Sequence, residues 1–283
     1  MVVTIIGPGL IGGSIALSLK NKGLAQKIIG VDKSAENAQM AKALGIIDEV
    51  KELTEAVLIS DMVIVAVPVD ATVQLLPFIL DLVGPTTGVM DVGSTKSYIL
   101  EKIKDHPKRK HFVATHPMSG TENSGPSAAF DGLFKDKVAI ICDKESSSDW
   151  VVARAESIYV AMESRLIYMN AAEHDEHVGY VSHLSHVISY ALAAAVLDKE
   201  KSTSTIFDLA AGGFASTARL AKSSSEMWSP IFYQNSDNIL SILDIYMAKL
   251  QEFSTFLRNQ DFEKLTDFIK EANKIRKVLD KRE

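Results

Sequence analysis

The histidines of this chain cluster. The segment EHDEHVGYVSHLSHV, residues 173–187, holds four of the seven. Such a run could ligate a metal or supply general bases, because an unperturbed imidazole exchanges its proton near pH 6.5. On an ideal helix, turning about 100° per residue, His177 falls about 300° from His174, His183 about 180° and His186 about 120°. The four rings split into two pairs, so one helix cannot gather them round an ion. With no cysteine ligands nearby and no H-E-x-x-H pattern, no metal site is expected. His186 is expected to face a cleft, on a stripe shared with Asp175, Gly179 and Tyr190. His183 shares that stripe and reads either as a second cleft residue or as a buried histidine bonded to backbone. His174 and His177 are expected to be ordinary polar residues on the other face. Asp175 and His186 lie about 16 Å apart along the axis, so each serves a different part of one long wall.

A second constellation opens the chain. In VVTIIGPGLIGGSIALSL, Gly7, Gly9 and Gly12 have the G-x-G-x-x-G spacing, after a strand-like run and at the start of a helical one. Gly7 would permit the tight turn and Gly9 the close approach of a pyrophosphate. Gly12 would let the helix pack on the strand, with Leu10 and Ile11 opening that helix under the phosphates. Asp32 ends the next strand, 20 residues after Gly12. A carboxylate there accepts from both ribose hydroxyls of NAD and repels the 2′-phosphate of NADP, so NAD is the expected cofactor. Val67 and Pro68, in VAVPV, are expected on the nicotinamide side. In DVGSTKS, Ser94 or Thr95 is expected to cap the helix that follows, and either could also touch ligand. ATHPMSGTENSG carries His116 to the same carboxyl edge, where an imidazole can take a proton from a substrate hydroxyl as hydride leaves the same carbon.

The elements that must position these groups are legible as patterns. Seven β-rich runs, 2–7, 27–32, 61–69, 88–93, 111–117, 137–143 and 164–170, are apolar almost throughout, as in strands covered on both faces. Helical stretches lie between them, and βαβ repeats imply a doubly wound α/β sheet of Rossmann type. After Asn170 only helical patterns follow, at about 171–199, 203–222, 228–258 and 261–281. The expected division is a nucleotide domain over 1–170 and an all-helical domain over 171–283. Helix 178–197 is alanine- and leucine-rich around most of its circumference, which requires burial in a core or a dimer interface.

With 283 residues, 47% of them hydrophobic, 23% charged and a formal net charge of −6, the chain reads as a soluble two-domain protein. That charge argues against nucleic acid as partner, though not against a small anion held by a local arginine. The single cysteine, Cys142, reads as a small core residue. No signal peptide is expected at the N-terminus, and the apolar run VISYALAAAVL is too short to span a bilayer; a cytoplasmic protein is expected.

Taken with HPMSGTENSG, the segments GPGLIGGS, DVGSTKS, DEHVGYVSHLSHVISYAL, AAGGFASTARLA and EMWSPI make the sequence similar to the prephenate and arogenate dehydrogenases, oxidative decarboxylases of tyrosine biosynthesis. The resemblance covers nearly the whole chain. It implies a nucleotide domain, a helical dimerisation domain and an active site between them in a homodimer. It assigns His116 as acceptor for the C4 hydroxyl and Ser94 as a residue placing substrate and nicotinamide. Arg219 becomes the carboxylate-binding arginine and His186 a substrate-pocket histidine, with Glu122, Asp175 and Trp228 around the same pocket. The chain departs from relatives at Ala215, where a basic residue is common, and at Ser216, near which an acid is common. Those departures leave prephenate and arogenate both open as substrate. Another NAD-dependent hydroxyacid dehydrogenase, or an NAD-binding sensor without turnover, are the readings opposed by the joint presence of His116 and Arg219.

Overall fold

The computed structural model describes residues 1–121, 123–201 and 206–280. Val2–Ile6 (β1) runs into Leu10–Asn21 (α1), followed by Lys27–Val31 (β2), Ala35–Ala43 (α2), Glu49–Val50 (β3), Leu53–Leu58 (α3) and Met62–Val65 (β4). Next come Val69–Leu82 (α4), Gly88–Asp91 (β5), Ser97–Ile103 (α5), Phe112–Pro117 (β6), Val138–Cys142 (β7), Asp149–Ala161 (α6) and Arg165–Met169 (β8). The eight strands form one sheet in the order β3-β2-β1-β4-β5-β6-β7-β8. Strands β1 to β6 are parallel, and their carboxyl ends share one edge. β4, β5 and β6 are buried along their whole length because helices cover both faces.

The far edge departs from the parallel pattern. β7 runs antiparallel to β6, and β8 is parallel to β7. Among its described residues the connection from β6 to β7 contains one short 3-10 turn, Pro126–Ala128, and no crossover helix. A return without a crossover produces an antiparallel neighbour. Apolar composition marked β7 as a buried strand but carried no information about its direction. Cys142, at its end, is fully buried, and burial pushes its thiol up to about 12, so it is an unreactive core group.

From Ala171 the chain is helical. Ala171–Val178 (α7), a π turn over Gly179–His183 and Leu184–Glu200 (α8) make one continuous 30-residue helix, longer than its central apolar run suggests. By length and composition alone this helix could cross a membrane. Yet the buried side chains of α8 are His186 and Ser189, and its alanines and leucines are half-buried or exposed. In the single chain that apolar surface is therefore not core. Gly212–Ala218 (α9), a 3-10 turn at Arg219–Lys222 and Ser225–Gln234 (α10) follow. The helix expected over 228–258 is broken at Asn235, and Ser236–Arg258 (α11) begins beyond it.

Two compact units result, Met1–Ser236 and Asp237–Glu283. Helices up to α10 belong to the first because Ala171, Trp228 and Ile231 pack into the same apolar cluster as Val65, Val69 and Ile99. The second unit holds α11, Phe262–Ala272 (α12) and Arg276–Leu279 (α13). Within it Asp261 caps α12 by accepting from Lys264 N, and Phe268 packs edge-on against Phe253 and Phe256.

Candidate active site

The glycine turn is built as its spacing requires, and each glycine is needed for a different reason. Gly7 has φ +86°, and a Cβ there would sit 2.6 Å from Ala66 O. At Gly12 a Cβ would lie 2.3 Å from Gly7 O, so α1 rests directly on the turn. Gly9 differs: the nearest protein atom to a Cβ would be 3.9 Å away. Protein contacts do not demand glycine there, whereas a ligand drawn close to the backbone would. Gly9 also stands at the N-cap of α1 with no side-chain cap, so the first N–H groups, from Leu10 on, are open to an anion. These features fit a dinucleotide pyrophosphate. We expect Gly12→Ala to lower stability by about 1–3 kcal/mol. Gly9→Ala should leave the melting temperature nearly unchanged while weakening dinucleotide affinity roughly tenfold or more. Thermal melts beside dinucleotide titrations separate the two. Asp32 follows β2 directly and is half-buried, its Oδ1 accepting from Ser34 N at 2.8 Å. Val67, half-buried, and Pro68, exposed, follow β4 at the same edge, Val67 beside Gly7.

His116 lies in β6 at that edge and is 9% exposed. Its Nδ1 is 2.8 Å from His174 Nε2, and His174 Nδ1 is 2.8 Å from Asp175 Oδ1. The tautomers follow from the carboxylate. Asp175 can only accept, so His174 donates from Nδ1 and accepts at Nε2, and His116 donates from Nδ1. His116 Nε2 is thereby left with its lone pair, as a general base requires. Burial lowers the His116 pKa well below its ordinary value, and the charges of His174, Lys96 and His183 act in the same direction. His174 is lowered too, by burial, against the pull of Asp175. Burial would raise Asp175, but His174 and the backbone N–H groups of Ser97 and Lys96 outweigh it and bring it down. Near neutral pH the chain is an anion and two neutral rings.

This overturns the reading of His174 as an ordinary polar residue on the face away from the cleft: it is fully buried between His116 and Asp175. The cause is the π turn. It takes up one residue more than an α turn, which rephases all that follows by about 100°. On that count His186 returns to within about 20° of His174. The buried positions 171, 174, 175, 178, 179, 183 and 186 then lie along one side of the continuous helix. His177 is exposed.

A second correction concerns α5. Neither Ser94 nor Thr95 caps it. The cap comes from Asp175, whose two oxygens accept from Lys96 N and Ser97 N at 2.8 Å each. Thr95 Oγ1 instead donates to Gln234 Oε1 at 2.7 Å, and half-buried Ser94 stays in the turn between β5 and α5. Lys96 was not foreseen as a site residue. It is fully buried and ion-paired with Asp91, which is also fully buried.

The remaining wall comes from α8 and α10. His186 stacks on Trp228, ring centroids 3.4 Å apart and 23° between planes, with Nδ1 donating to Ser182 O. Burial lowers its pKa against the bond to Ser182 O, and the charge of the exposed Arg219 acts in the same direction as burial. Ser189 Oγ accepts from Ala221 N and Tyr190 OH donates to Ser223 O, tying the Arg219 turn to α8. Asn235 Nδ2 donates to Asp175 O and to His183 Nδ1, which fixes the proton of His183 on Nε2. Burial lowers the His183 pKa to about 4. Among the described residues, His183 Nε2 and Trp228 Nε1 are buried without a hydrogen-bond partner. Glu122 lies outside the described residues. No group of three or more His, Cys, Asp or Glu among the described residues could hold a metal ion.

Comparison with known proteins agrees with this geometry. Residues 15–168 match the family model for the prephenate dehydrogenase nucleotide-binding domain, and residues 170–279 that for the prephenate dehydrogenase dimerization domain. The chain is 31% identical to prephenate dehydrogenase of Bacillus subtilis, over 98% of its own length and 76% of the relative's. It is 32% identical to cyclohexadienyl dehydrogenase of Zymomonas mobilis, over 98% and 95%. The fold superposes on the crystal structure of prephenate dehydrogenase from A. aeolicus in complex with hydroxyphenyl propionate and NAD+, with TM-score 0.87 and 28% identity, covering 99% and 98% of the two chains. A glycine turn built for a dinucleotide, a buried His-His-Asp chain at the sheet's carboxyl edge and family matches across both halves agree: the chain belongs to the prephenate dehydrogenase family of oxidoreductases.

Proposed function

We propose that this chain carries out the NAD-dependent oxidative decarboxylation of prephenate to 4-hydroxyphenylpyruvate, as a cytoplasmic homodimer with a nucleotide domain over 1–170 and a substrate and dimerisation domain over 171–283. The observation that carries the reading is the Asp175–His174–His116 chain, which leaves His116 Nε2 as an acceptor at the same carboxyl edge of the sheet as the glycine turn. NAD, held by Gly7 to Gly12 and Asp32, supplies the hydride acceptor when bound, and the A. aeolicus relative that holds NAD+ supports this. His116 takes the C4 hydroxyl proton as the C4 hydride departs. Asp175, acting across His174, stabilises the imidazolium that forms. Loss of CO₂ from the ring carbon then gives the aromatic product. Ser94 and His116 orient the reacting carbon, Arg219 pairs with a substrate carboxylate, and His186 and Trp228 line the pocket. The apolar surface left on α8 and the dimerization-domain match support the dimer.

Prephenate is favoured over arogenate by the polarity of the wall. His183 Nε2–H and Trp228 Nε1–H are buried donors in search of acceptors, and a pyruvyl group is made of acceptors. Arogenate brings an ammonium, while the Asp175 carboxylate is already engaged by three donors. The test is NADH formation by purified protein, offered prephenate and arogenate separately, each with NAD and with NADP. Prephenate with NAD should give the highest kcat/KM. Preference for arogenate would reverse the substrate assignment, and turnover of neither would leave a dinucleotide-binding protein of another reaction.

A further inference from the structure

A lysine at zero exposure needs a reason. Lys96 and Asp91 form an ion pair with no exposed side-chain surface on either partner. Desolvating two charges is expensive, and apolar replacements of similar volume often match or exceed such a pair in stability. Stability alone therefore does not account for it, and no step of the reaction above uses it.

The hydrogen bonds round the pair close a ring. Asp91 Oδ1 accepts from Thr115 N at 3.1 Å, and Asp91 Oδ2 accepts from Gly93 N at 2.9 Å and from Lys96 Nζ. Thr115 Oγ1 donates to Asp91 O. On the other side, Lys96 N donates to Asp175 Oδ1, which also takes the His174 proton, and His174 takes that of His116. His116 is covalently next to Thr115. One circuit thus runs from His116 through His174, Asp175, Lys96, Asp91 and Thr115 back to His116. Lys96 is the member that joins its two arcs, by its main chain on one side and its ammonium on the other. The same carboxylate that holds Thr115 also holds Gly93, so the separation between Ser94 and His116 is set within the circuit.

We propose that Lys96 is a positioning residue for His116: by bridging Asp91 and Asp175 it closes the buried ring that aims His116 Nε2 and holds the Ser94 turn against it. The assignment rests on reading His116 as the base. Several groups face the His116 region among the described residues. His174 and Asp175 come from α7, His183 from the π turn, and Lys96 from the start of α5. Asp91 acts through Thr115 from β5, and Tyr159 of α6 bonds Thr115 Oγ1. Of these, Lys96 is the fixed cation, and it disfavours a proton on both imidazoles. Position and charge therefore act together, because the ring that aims Nε2 also keeps it unprotonated.

The sign of the effect is set by that charge. His116 works as the neutral ring, so activity falls as pH drops through its pKa. Removing the cation raises that pKa and moves the acid limb of the rate profile towards neutral. The experiment compares wild type, Lys96→Arg, Lys96→Met and the double variant Lys96→Met/Asp91→Asn, all as full-length protein. Two readouts are taken: kcat and KM against pH, and histidine NMR titration, with the His116 resonance identified as the one missing from His116→Asn. Lys96→Met should lower kcat on the order of 10²-fold, as misplaced reacting groups do, with KM changed less than about threefold. Its acid limb and its His116 titration should both move to higher pH. The double variant, which leaves no uncompensated buried charge, should show the same two shifts with wild-type-like melting. Lys96→Arg should keep the low acid limb. Folded variants whose His116 titration and acid limb coincide with wild type would overturn the proposal. So would failure of the double variant to fold, which would make the pair a structural requirement. The titration needs no turnover, so a shift in a protein that oxidises neither substrate would retain the positioning role while rejecting the proposed reaction.

Discussion

Replacing His116 with asparagine should lower kcat by roughly 10²- to 10⁴-fold while leaving dinucleotide affinity close to wild type. Asparagine is the informative choice. Its amide N–H can still donate to His174 Nε2, as His116 Nδ1 does at 2.8 Å, so the buried chain stays satisfied. What disappears is the second nitrogen, the one with a free lone pair. The groups proposed to hold the dinucleotide, from Gly7 to Gly12 and at Asp32, belong to β1, α1 and the end of β2 and do not use the imidazole. Turnover assays and dinucleotide titration on the same preparation check the split. Affinity falling in step with kcat would mean that His116 builds the cofactor site and is not the base.

Asp175→Asn should be nearly as damaging, for a different reason. The carboxylate accepts from His174 Nδ1, Lys96 N and Ser97 N. An amide offers one oxygen and one NH₂, so whichever way it turns, a donor faces a donor. If the NH₂ takes the place of Oδ1, it faces both His174 Nδ1 and Lys96 N; His174 then loses the partner that fixes its tautomer, and His116 is no longer held with Nε2 bare. In the chymotrypsin-type triad the same aspartate-to-asparagine change lowers kcat by about 10⁴-fold. Here a loss of roughly 10²- to 10⁴-fold in kcat is expected, with a smaller change in KM. A destabilisation of about 1–3 kcal/mol should accompany it, because a buried donor at the start of α5 is left unpaired. The combination is diagnostic: His116→Asn should lose activity without much stability, and Asp175→Asn should lose both. Equal kcat in Asp175→Asn and wild type would remove Asp175 and His174 from the catalytic account.

How much of this could be read from the chain depends on the range of the interaction concerned. The dinucleotide turn was legible because its parts lie within a few residues of each other. A positive φ at Gly7 and the seat of α1 on Gly7 O are local demands that only particular residues satisfy, and they write themselves into spacing. His116 was legible for a related reason: it ends a strand, and strand ends in such a sheet face one edge. Arg219, His186 and Trp228 were reached through resemblance. The turn that carries Arg219 is tied to α8, where His186 stacks on Trp228, by the Ser189 and Tyr190 contacts, which join segments about thirty residues apart.

His174 and Lys96 were missed because their roles depend on distant partners. A uniform 100° rotation turned His174 away from the cleft, and the extra residue taken up by the π turn brought it back. An ideal-helix phase cannot register the π turn over Gly179–His183. Lysine in a sequence reads as solvated, and only Asp91 beneath it makes burial tolerable. The cap of α5 comes from a residue 79 positions away from Lys96, so no local rule for Ser94 and Thr95 could anticipate it. The antiparallel edge of β7 and the break at Asn235 have the same character. By itself the sequence determined seven of the eight strands and the glycine turn, because periodicity and backbone freedom are local properties, and resemblance supplied the family of chemistry; the two-residue β3 was too short to leave a pattern. The tertiary structure decided which imidazole supports which, where the proton sits and why a lysine is buried, because hydrogen-bond direction and desolvation exist only once distant segments meet.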